Sequence, residues 1–184
     1  MAKPEVLETR RLILEPFSEK HLSQRYVGWL NDAEVVRFSE QRLKKHTLES
    51  CRDYMTSFNG SPNYFWAIVS RNAEEGHIGN ITAHVDSPNE VADIGILIGE
   101  KTLWGKGYGL EAFEAVVEFL FHQQGLRKVT AGALSINIGM TRIMQRTGMK
   151  EDGRRVRHFL CDRQEVDLIH AALFRKDWIK RKPL

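Results

Sequence analysis

The stretch Leu103-Trp104-Gly105-Lys106-Gly107-Tyr108-Gly109 carries three glycines in five residues and lies between two regular patterns. Residues 91–98 before it are mostly apolar, as in a strand, and residues 110–121 after it place apolar side chains at helical spacing. Glycine lets the backbone adopt positive φ and approach a ligand closely. The amides of such a turn, with the N-terminus of a helix behind them, form an anion site. The alternative is a strand-to-helix turn that binds nothing.

Two nucleotide-binding motifs are excluded by the residues of this turn. A Walker loop requires Ser or Thr after its Gly-Lys pair, and Lys106 is followed by Gly107. A Rossmann fingerprint that began at Gly105 would need a third glycine where Leu110 stands. It would also need an acidic residue about twenty positions further on, and residues 122–127 contain none.

The patterns on either side of the turn predict an α+β fold. Strands are predicted over residues 11–16, 64–70, 76–85, 91–98, 128–134, 149–160 and 165–174, and helices after Ser18, after Thr47, from 110 to about 125 and over 137–146. One strand–helix–strand crossover joins 91–98 to 128–134 and implies a parallel pair. The other connections are short, so the central sheet is expected to be mixed and mostly antiparallel, in a single domain over 1–184.

Composition and charge narrow the class of protein. The formal net charge is only +3, and no aromatic residues interleave with the basic ones, so nucleic-acid binding is not expected. From Arg142 onward there are twelve Lys or Arg against six Asp or Glu, which favours either an anionic partner or a solvated basic face. This region includes a basic tail over 176–182 with no assigned role.

Cysteine usage and hydropathy point to the cytoplasm. Cys51 and Cys161 are far apart and form no Cys-x-x-Cys, so we expect two free thiols and no metal site. No apolar stretch has the length of a membrane span, and no apolar signal core follows the first residues. A cytoplasmic protein without a membrane partner is therefore expected, as a monomer or a homodimer.

Four stretches in the chain resemble the GNAT superfamily of N-acetyltransferases. That family carries Gln/Arg-x-x-Gly-x-Gly/Ala between a strand and a long helix, and residues 104–109 match it with Trp104 in the first position. The other three are Glu8-Thr9-Arg10-Arg11-Leu12-Ile13-Leu14, His77-Ile78-Gly79-Asn80-Ile81 and the segment from Asn137 to Gly148-Met149. They resemble the opening strand, the Ile-Gly strand and the Asn-x-x-Ser…Gly-Phe helix of the Rim-type branch, which includes ribosomal-protein-alanine acetyltransferases. The resemblance covers roughly residues 8–178 and implies a GNAT-like fold.

The resemblance implies acetyl-CoA as co-substrate, without a metal, and direct transfer to a primary amine. The expected contacts with acetyl-CoA are Ile96, Leu97, Ile98, Trp104, Gly105, Lys106, Gly107, Tyr108, Gly109, Asn137 and Arg142. A bulge is expected to separate strand 91–98 from strand 128–134, with backbone amides around Leu97 polarising the thioester carbonyl. Asn137 can also cap the following helix, and Arg142 can equally face solvent.

Asp93 is the first candidate for the general base, acting directly or through a water, because several GNAT enzymes carry a Glu at this place. A strand-face Asp in an ion pair is the structural alternative, and Glu100 and His84 are weaker candidates. The family's general-acid Tyr and the Rim-type Ser correspond to Met144 and Met140 here. The thiolate of CoA therefore leaves unaided, or takes a proton from water, from Tyr108 or from Ser135.

The favoured acceptor is an amino sugar or its nucleotide, because residues 29–35 and 77–81 are most similar to acetyltransferases of that kind. Acetylation of a protein N-terminus, as in the ribosomal members, is the alternative. A CoA-binding sensor with weak turnover is the third reading, favoured by the absence of the Ser and Tyr. The candidate acceptor-binding residues are Trp29, Asn31, Arg37, Glu40, His77, Asn80 and His158, with Arg154, Arg155 and Arg157 as a basic run for a sugar-nucleotide diphosphate or for solvent.

Overall fold

A computed structural model describes residues 5–72 and 74–181. In this part of the chain eight strands form one sheet in the order β1-β2-β3-β4-β5-β6-β8-β7. The strands are β1 (Leu7–Glu8), β2 (Leu12–Pro16), β3 (Tyr64–Ser70), β4 (His77–Asp86), β5 (Val91–Ile98), β6 (Lys128–Leu134), β7 (Lys150–Cys161) and β8 (Gln164–Phe174). The helices are α1 (Gln24–Asn31), α2 (Leu48–Thr56), α3 (Tyr108–Glu118), α4 (Ile138–Thr147) and α5 (Arg175–Arg181).

The connectivity confirms the predicted fold class. β5 and β6 are the parallel pair, joined by the crossover through α3, and the neighbouring ladders are antiparallel. The strand β1 was not predicted because a two-residue strand has too few positions to show an alternating pattern. Lys182, the last residue of the predicted basic tail, lies outside the described residues, and the rest of that tail belongs to α5.

Capping residues set where the helices begin. Thr47 accepts a hydrogen bond from the Ser50 amide and starts α2, as predicted. The helix expected directly after Ser18 begins later, because Ser18 precedes a short 3₁₀ turn, and Ser23 caps α1 instead. The long central helix continues α3 through a π-helical turn and closes before Gly125, whose φ of 69° is left-handed. No helix in residues 5–72 and 74–181 is long and apolar enough to cross a membrane.

The sheet separates two hydrophobic clusters. Helix α3 packs on one face through side chains such as Phe113, against Ala92 and Ile94 of β5. Helices α1 and α2 cover part of the opposite face, where Leu97 of β5 joins their cluster. Because side chains alternate along a strand, Asp93 and Gly95 share the face of Leu97. We call this opposite face, on the side of α1 and α2, the open face.

A loop over residues 32–39 leaves α1 and reaches the tip of the hairpin formed by β7 and β8. Phe38 packs against the small cluster of Leu134, Cys161 and Val166. Nη2 of Arg37 lies 2.8 Å from Oδ2 of Asp162, and Sγ of Cys161 lies 3.8 Å from the Arg37 carbonyl oxygen. The loop therefore arches over the open face beside β5 and β6.

Candidate active site

A fork between β5 and β6 is the central feature of the site. The parallel ladder has three paired positions and ends where Asp93 faces Thr130. Beyond that point β5 stays paired with β4, and β6 stays paired with β8. Because each strand follows its outer partner, a gap opens between them. The register of β4 and β5 is continuous, so the bulge expected in this strand is absent and that prediction is wrong.

A cavity of about 580 Å³ fills the fork and extends to the glycine turn. Ten of the eleven residues predicted to contact acetyl-CoA line it, and Lys106 is the exception. The predicted residues that line it are Ile96, Leu97, Ile98, Trp104, Gly105, Gly107, Tyr108, Gly109, Asn137 and Arg142. Further lining residues, which the sequence did not single out, include Val35, Phe38, Gly95, Gly132 and Arg146.

The glycine turn has the backbone geometry that an anion site needs. Gly105 and Gly107 have φ of 75° and 85°, and Gly107 occupies the N-cap position of α3. A Cβ on Gly105 would meet no atom within 4 Å, so this part of the turn is open. The first amides of α3 lack acceptors within the helix, which suits them to an anionic group. The indole Nε1–H of Trp104 donates to the Ile98 carbonyl at 2.7 Å and ties the turn to β5.

Arg11, directly before β2, braces the glycine turn, a role that no sequence pattern predicted. Its Nε donates to Oε2 of Glu111 at 2.6 Å, its Nη1 donates to the Lys106 carbonyl at 3.0 Å, and its guanidinium lies 4.3 Å from the centre of the Tyr108 ring. Burial alone would raise the pKa of Glu111, but hydrogen bonds from Thr9 and Arg11 hold the pKa below its usual value. Glu111 is therefore an ionised anchor for Arg11.

Asp93 lies at the base of the fork on the open face. The hydroxyl of Thr130 donates to its Oδ2 at 2.7 Å, and His84 is its partner across β4. Desolvation by the protein atoms around the carboxyl group raises the pKa of Asp93, although the residue as a whole is exposed, so the rise is modest in effect. The Thr130 hydrogen bond and the nearby His84 and His170 oppose that rise. A carboxylate with a raised pKa is suited to accepting a proton near neutral pH.

The register shows which backbone amides of β5 face the gap. Gly99 N donates to the Ile78 carbonyl on β4, and Thr82 Oγ1 lies 3.4 Å from the Gly95 carbonyl. Because backbone groups alternate between the two sides of a strand, the Leu97 amide also faces β4. The amides of Ile96 and Ile98 face the gap. Among the amides around Leu97, the register therefore turns that of Leu97 itself away from the gap, so the predicted contact with the thioester would have to come from Ile96 or Ile98.

Asn80 adds an unsatisfied acceptor to the open face. It is the partner of Leu97 across β4 and β5, and its side chain lies on the same face as those of Thr82 and His84. Its Oδ1 is buried and has no hydrogen-bond partner among the described residues. A buried acceptor of this kind costs free energy unless something donates to it. Like the other predicted acceptor residues, Asn80 does not line the cavity.

Of the two other candidates for the base, Glu100 is committed elsewhere. Its Oε2 accepts from Arg25 at 2.7 Å and its Oε1 from the Thr102 hydroxyl at 2.9 Å, and these hydrogen bonds hold the pKa of Glu100 below its usual value. His84, on β4, lies beside Asp93 of β5, and the centre of its ring is 5.6 Å from that of Phe58.

Three of the predicted acceptor residues are parts of the scaffold. Trp29 is buried, and Gly99 packs so closely on its indole that a Cβ there would lie 2.0 Å from a ring atom. His77 Nε2 lies 2.8 Å from the Gly79 carbonyl oxygen, and burial lowers the pKa of His77 to about 4. The Asn31 amide donates to the Val27 and His46 carbonyls. None of Trp29, Asn31 and His77 lines the cavity.

The remaining candidates for acceptor binding lie on the loop over residues 32–39, on the 3₁₀ turn after it and on the hairpin of β7 and β8. Arg37 is paired with Asp162, and Glu40 is exposed in a short 3₁₀ turn. His158 is exposed near Arg155, with 3.4 Å between Nε2 and Nη1. These predicted residues do not line the cavity. In the basic run, Arg154 pairs with Glu151 and Asp167, and Arg157 Nε lies 3.7 Å from Glu165, so these two belong to surface ion pairs.

Helix α4 supplies an apolar wall. Asn137 caps it by accepting from the Met140 amide at 3.1 Å, as its N-cap interpretation predicts. Met140 lines the cavity, and Met144 is buried behind it. Of the two proposed proton donors, Tyr108 lines the cavity and Ser135 does not. No group of three His, Cys, Asp or Glu side chains within residues 5–72 and 74–181 is placed to hold a metal ion.

The fold and this site define a GNAT acetyltransferase. Residues 11–150 match the family described as "Acetyltransferase (GNAT) domain", so the chain belongs to that family and is an N-acetyltransferase. The family uses acetyl-CoA as co-substrate. A relative from Bacillus subtilis, "Uncharacterized N-acetyltransferase YnaD", is 22% identical over 172 residues, which are 94% of this chain and 98% of the relative.

Solved structures show the same fold at low identity. Ribosomal-protein-S5-alanine acetyltransferase from Vibrio fischeri superposes with a TM-score of 0.79 at 14% identity, over 95% of this chain and 99% of the other. A spermidine/spermine N-acetyltransferase SpeG from Vibrio cholerae, in mutant forms, gives 0.77 at 15% identity, over 94% and 99%. These neighbours differ in their acceptors, so the shared fold leaves the acceptor of this protein open.

Proposed function

We propose that this protein transfers the acetyl group of acetyl-CoA directly to a primary amine held on the open face of the fork. The observation that carries the proposal is that the ladder between β5 and β6 ends directly after Asp93 and Thr130. The gap so formed runs from the glycine turn to Ile94 and Gly95, next to Asp93, whose pKa is raised and whose side chain does not itself line the cavity. The turn binds the diphosphate of CoA, and the pantetheine arm lies in the fork against β5 and α4.

The chemistry follows from the order of groups along β5. The Ile96 amide donates to the thioester oxygen and stabilises the oxyanion that forms. The amine nitrogen attacks the carbonyl carbon, a C–N bond forms, and collapse of the intermediate breaks the C–S bond. Asp93 is about 10 Å along the strand from Ile96, so a water carries the proton from the attacking nitrogen to its carboxylate.

The leaving group is the CoA thiolate. Met140 and Met144 cannot donate a proton to it. Tyr108 is the hydroxyl-bearing candidate that lines the cavity, and solvent is the other source of the proton. The electron pair of the broken C–S bond stays on sulfur in either case, and the proton that Asp93 accepted returns to solvent.

For the acceptor we propose an amino sugar or its nucleotide, with a protein N-terminus as the second candidate. The similarity of residues 29–35 and 77–81 to acetyltransferases of amino-sugar nucleotides supports the first candidate. The structural likeness to ribosomal-protein-S5-alanine acetyltransferase supports the second candidate. A thiol-release screen with amino-sugar nucleotides, N-terminal peptides and polyamines tests this order, and activity with peptides alone would reverse it.

Gly107→Val tests the coenzyme part of the proposal. The substitution strains a residue with φ of 85° and places side-chain atoms against Arg11, so acetyl-CoA affinity by calorimetry should fall at least tenfold. Gly60→Val is the matched control, since Gly60 has φ of 72° and open space but lies far along the chain from the turn. Equal affinities for acetyl-CoA in both variants and the wild type would refute the assignment of the turn.

A further inference from the structure

Two glycines face each other across the first open row of the fork. The paired positions place Val91 against Lys128 and Asp93 against Thr130, so the same register sets Gly95 opposite Gly132. Both side-chain positions point to the open face, because Asp93 and Thr130 do, two residues earlier. Both glycines line the cavity.

The backbone does not require glycine at Gly132. Its φ lies outside the left-handed region, and a Cβ would have its closest contact at 3.7 Å, with Nδ1 of His170. At Gly95 the closest contact would be the hydroxyl of the buried Thr82 at 3.1 Å, which would have to shift by a few tenths of an ångström. Glycine loses more conformational freedom on folding than alanine, so alanine would normally be preferred in a strand at Gly132. The absence of a side chain at Gly132 therefore leaves room in the cavity that the fold does not require.

The space over these glycines is where the carbon that bears the amine must lie. The reacting nitrogen has to reach the thioester beside Ile96 and also a water bound to Asp93. The row that contains Gly95 and Gly132 lies between these two positions. Thr82 borders the space on the side of β4, and His170 borders it on the side of β8.

We propose that Gly95 and Gly132 determine the acceptor class by making room for an amine carried on a branched carbon, –CH(R)–NH₂, as in amino sugars and α-amino groups. An unbranched –CH₂–NH₂ group needs no such space. This inference rests on the proposed function. It makes the two glycines specificity-determining residues for the acceptor, without a part in coenzyme binding.

The test uses two conjugates of CoA that differ by one methyl group. CoA is joined through its sulfur to –CH₂–CO–NH– of glycinamide or of L-alaninamide, and binding is measured by calorimetry. The proteins are the wild type, Gly132→Ala and the control Gly153→Ala, whose added Cβ on β7 would meet no atom within 4 Å. Gly153 lies on the next strand beyond His170 and does not line the cavity.

The wild type and Gly153→Ala should bind the alaninamide conjugate at least as tightly as the glycinamide conjugate. Gly132→Ala should bind the alaninamide conjugate roughly tenfold more weakly than the wild type does. Its affinities for the glycinamide conjugate and for CoA should change less than twofold, and its melting temperature should be unchanged or higher. Equal effects of Gly132→Ala on both conjugates, or no effect on either, would overturn the inference. A wild type that binds CoA but neither conjugate also overturns it and leaves the coenzyme site standing. A wild type that binds no CoA overturns the proposed function itself.

Discussion

Replacing Arg11 by Lys removes a brace from the glycine turn while keeping a positive charge at the same place. An ammonium group cannot span the Glu111 carboxylate, the Lys106 carbonyl and the Tyr108 ring at once, as the guanidinium does. Each hydrogen bond of a charged group contributes about 1.5 kcal/mol, and the ring contact about 0.5 kcal/mol. Because Lys recovers one of these contacts, the expected loss is about 2 kcal/mol.

That loss should appear mainly in coenzyme binding. If the turn must be ordered before the diphosphate binds, a loss of about 2 kcal/mol raises the dissociation constant for acetyl-CoA by roughly 30-fold. Calorimetry with acetyl-CoA measures this, and thermal unfolding reports any loss of global stability. Arg52→Lys is the matched control, because Arg52 on α2 makes a bidentate ion pair with Glu19, at 2.9 and 3.1 Å. Unchanged acetyl-CoA affinity in Arg11→Lys would refute the role of the brace, and an equal loss in Arg52→Lys would show a general effect of such pairs.

Two further predictions concern pH. Since the pKa of Asp93 is raised, the acid limb of the pH profile of kcat/KM should lie above the usual pKa range of an Asp. Asp93→Asn should lower turnover at least 100-fold and leave the affinity for acetyl-CoA nearly intact. A fully active variant contradicts the assignment of Asp93 as the base. The pKa of His77 falls from 6.5 to about 4 on folding, so the unfolded chain binds more protons between these values. The contribution of neutral His77 to the free energy of unfolding should therefore be fully present above pH 6.5. It should decline toward pH 4, by at most about 1.4 kcal/mol per pH unit. In urea titrations His77→Gln should flatten that decline, and an unchanged slope would assign it to His21, whose pKa is also lowered by burial.

The sequence predicted most of the fold because the patterns that it rests on are local. Helical spacing after the glycine turn, the cap at Thr47 and alternation in the strands each involve residues within one element. The glycine turn was also predicted for this reason, since Gly105 to Gly109 are contiguous. The order of elements supplied the crossover and its parallel pair, whereas the separation of the two strands was expected only from the resemblance to the GNAT superfamily.

The rest of the site depends on contacts between distant parts of the chain. Arg11 and Glu111 are 100 positions apart, and no local pattern marks them as partners. The pairing of Gly95 with Gly132 needs the register of β5 and β6. Trp29 was assigned to the acceptor site because an aromatic residue on an early helix is compatible with either surface or core. Gly99, seventy residues away, decides between them by leaving room for the indole.

The fork also leaves two strand edges inside the sheet. The amides of Ile96 and Ile98 on one side, and of Gly132 on the other, point into a gap instead of to a neighbouring strand. In hydrogen exchange these amides should therefore be far less protected than those of Gly95 and Leu97, which face β4, although all lie in one central strand pair. A bound coenzyme that accepts hydrogen bonds from the amides of Ile96 and Ile98 would slow the exchange of these two selectively, so the centre of the sheet would report occupancy of the fork before any turnover is measured.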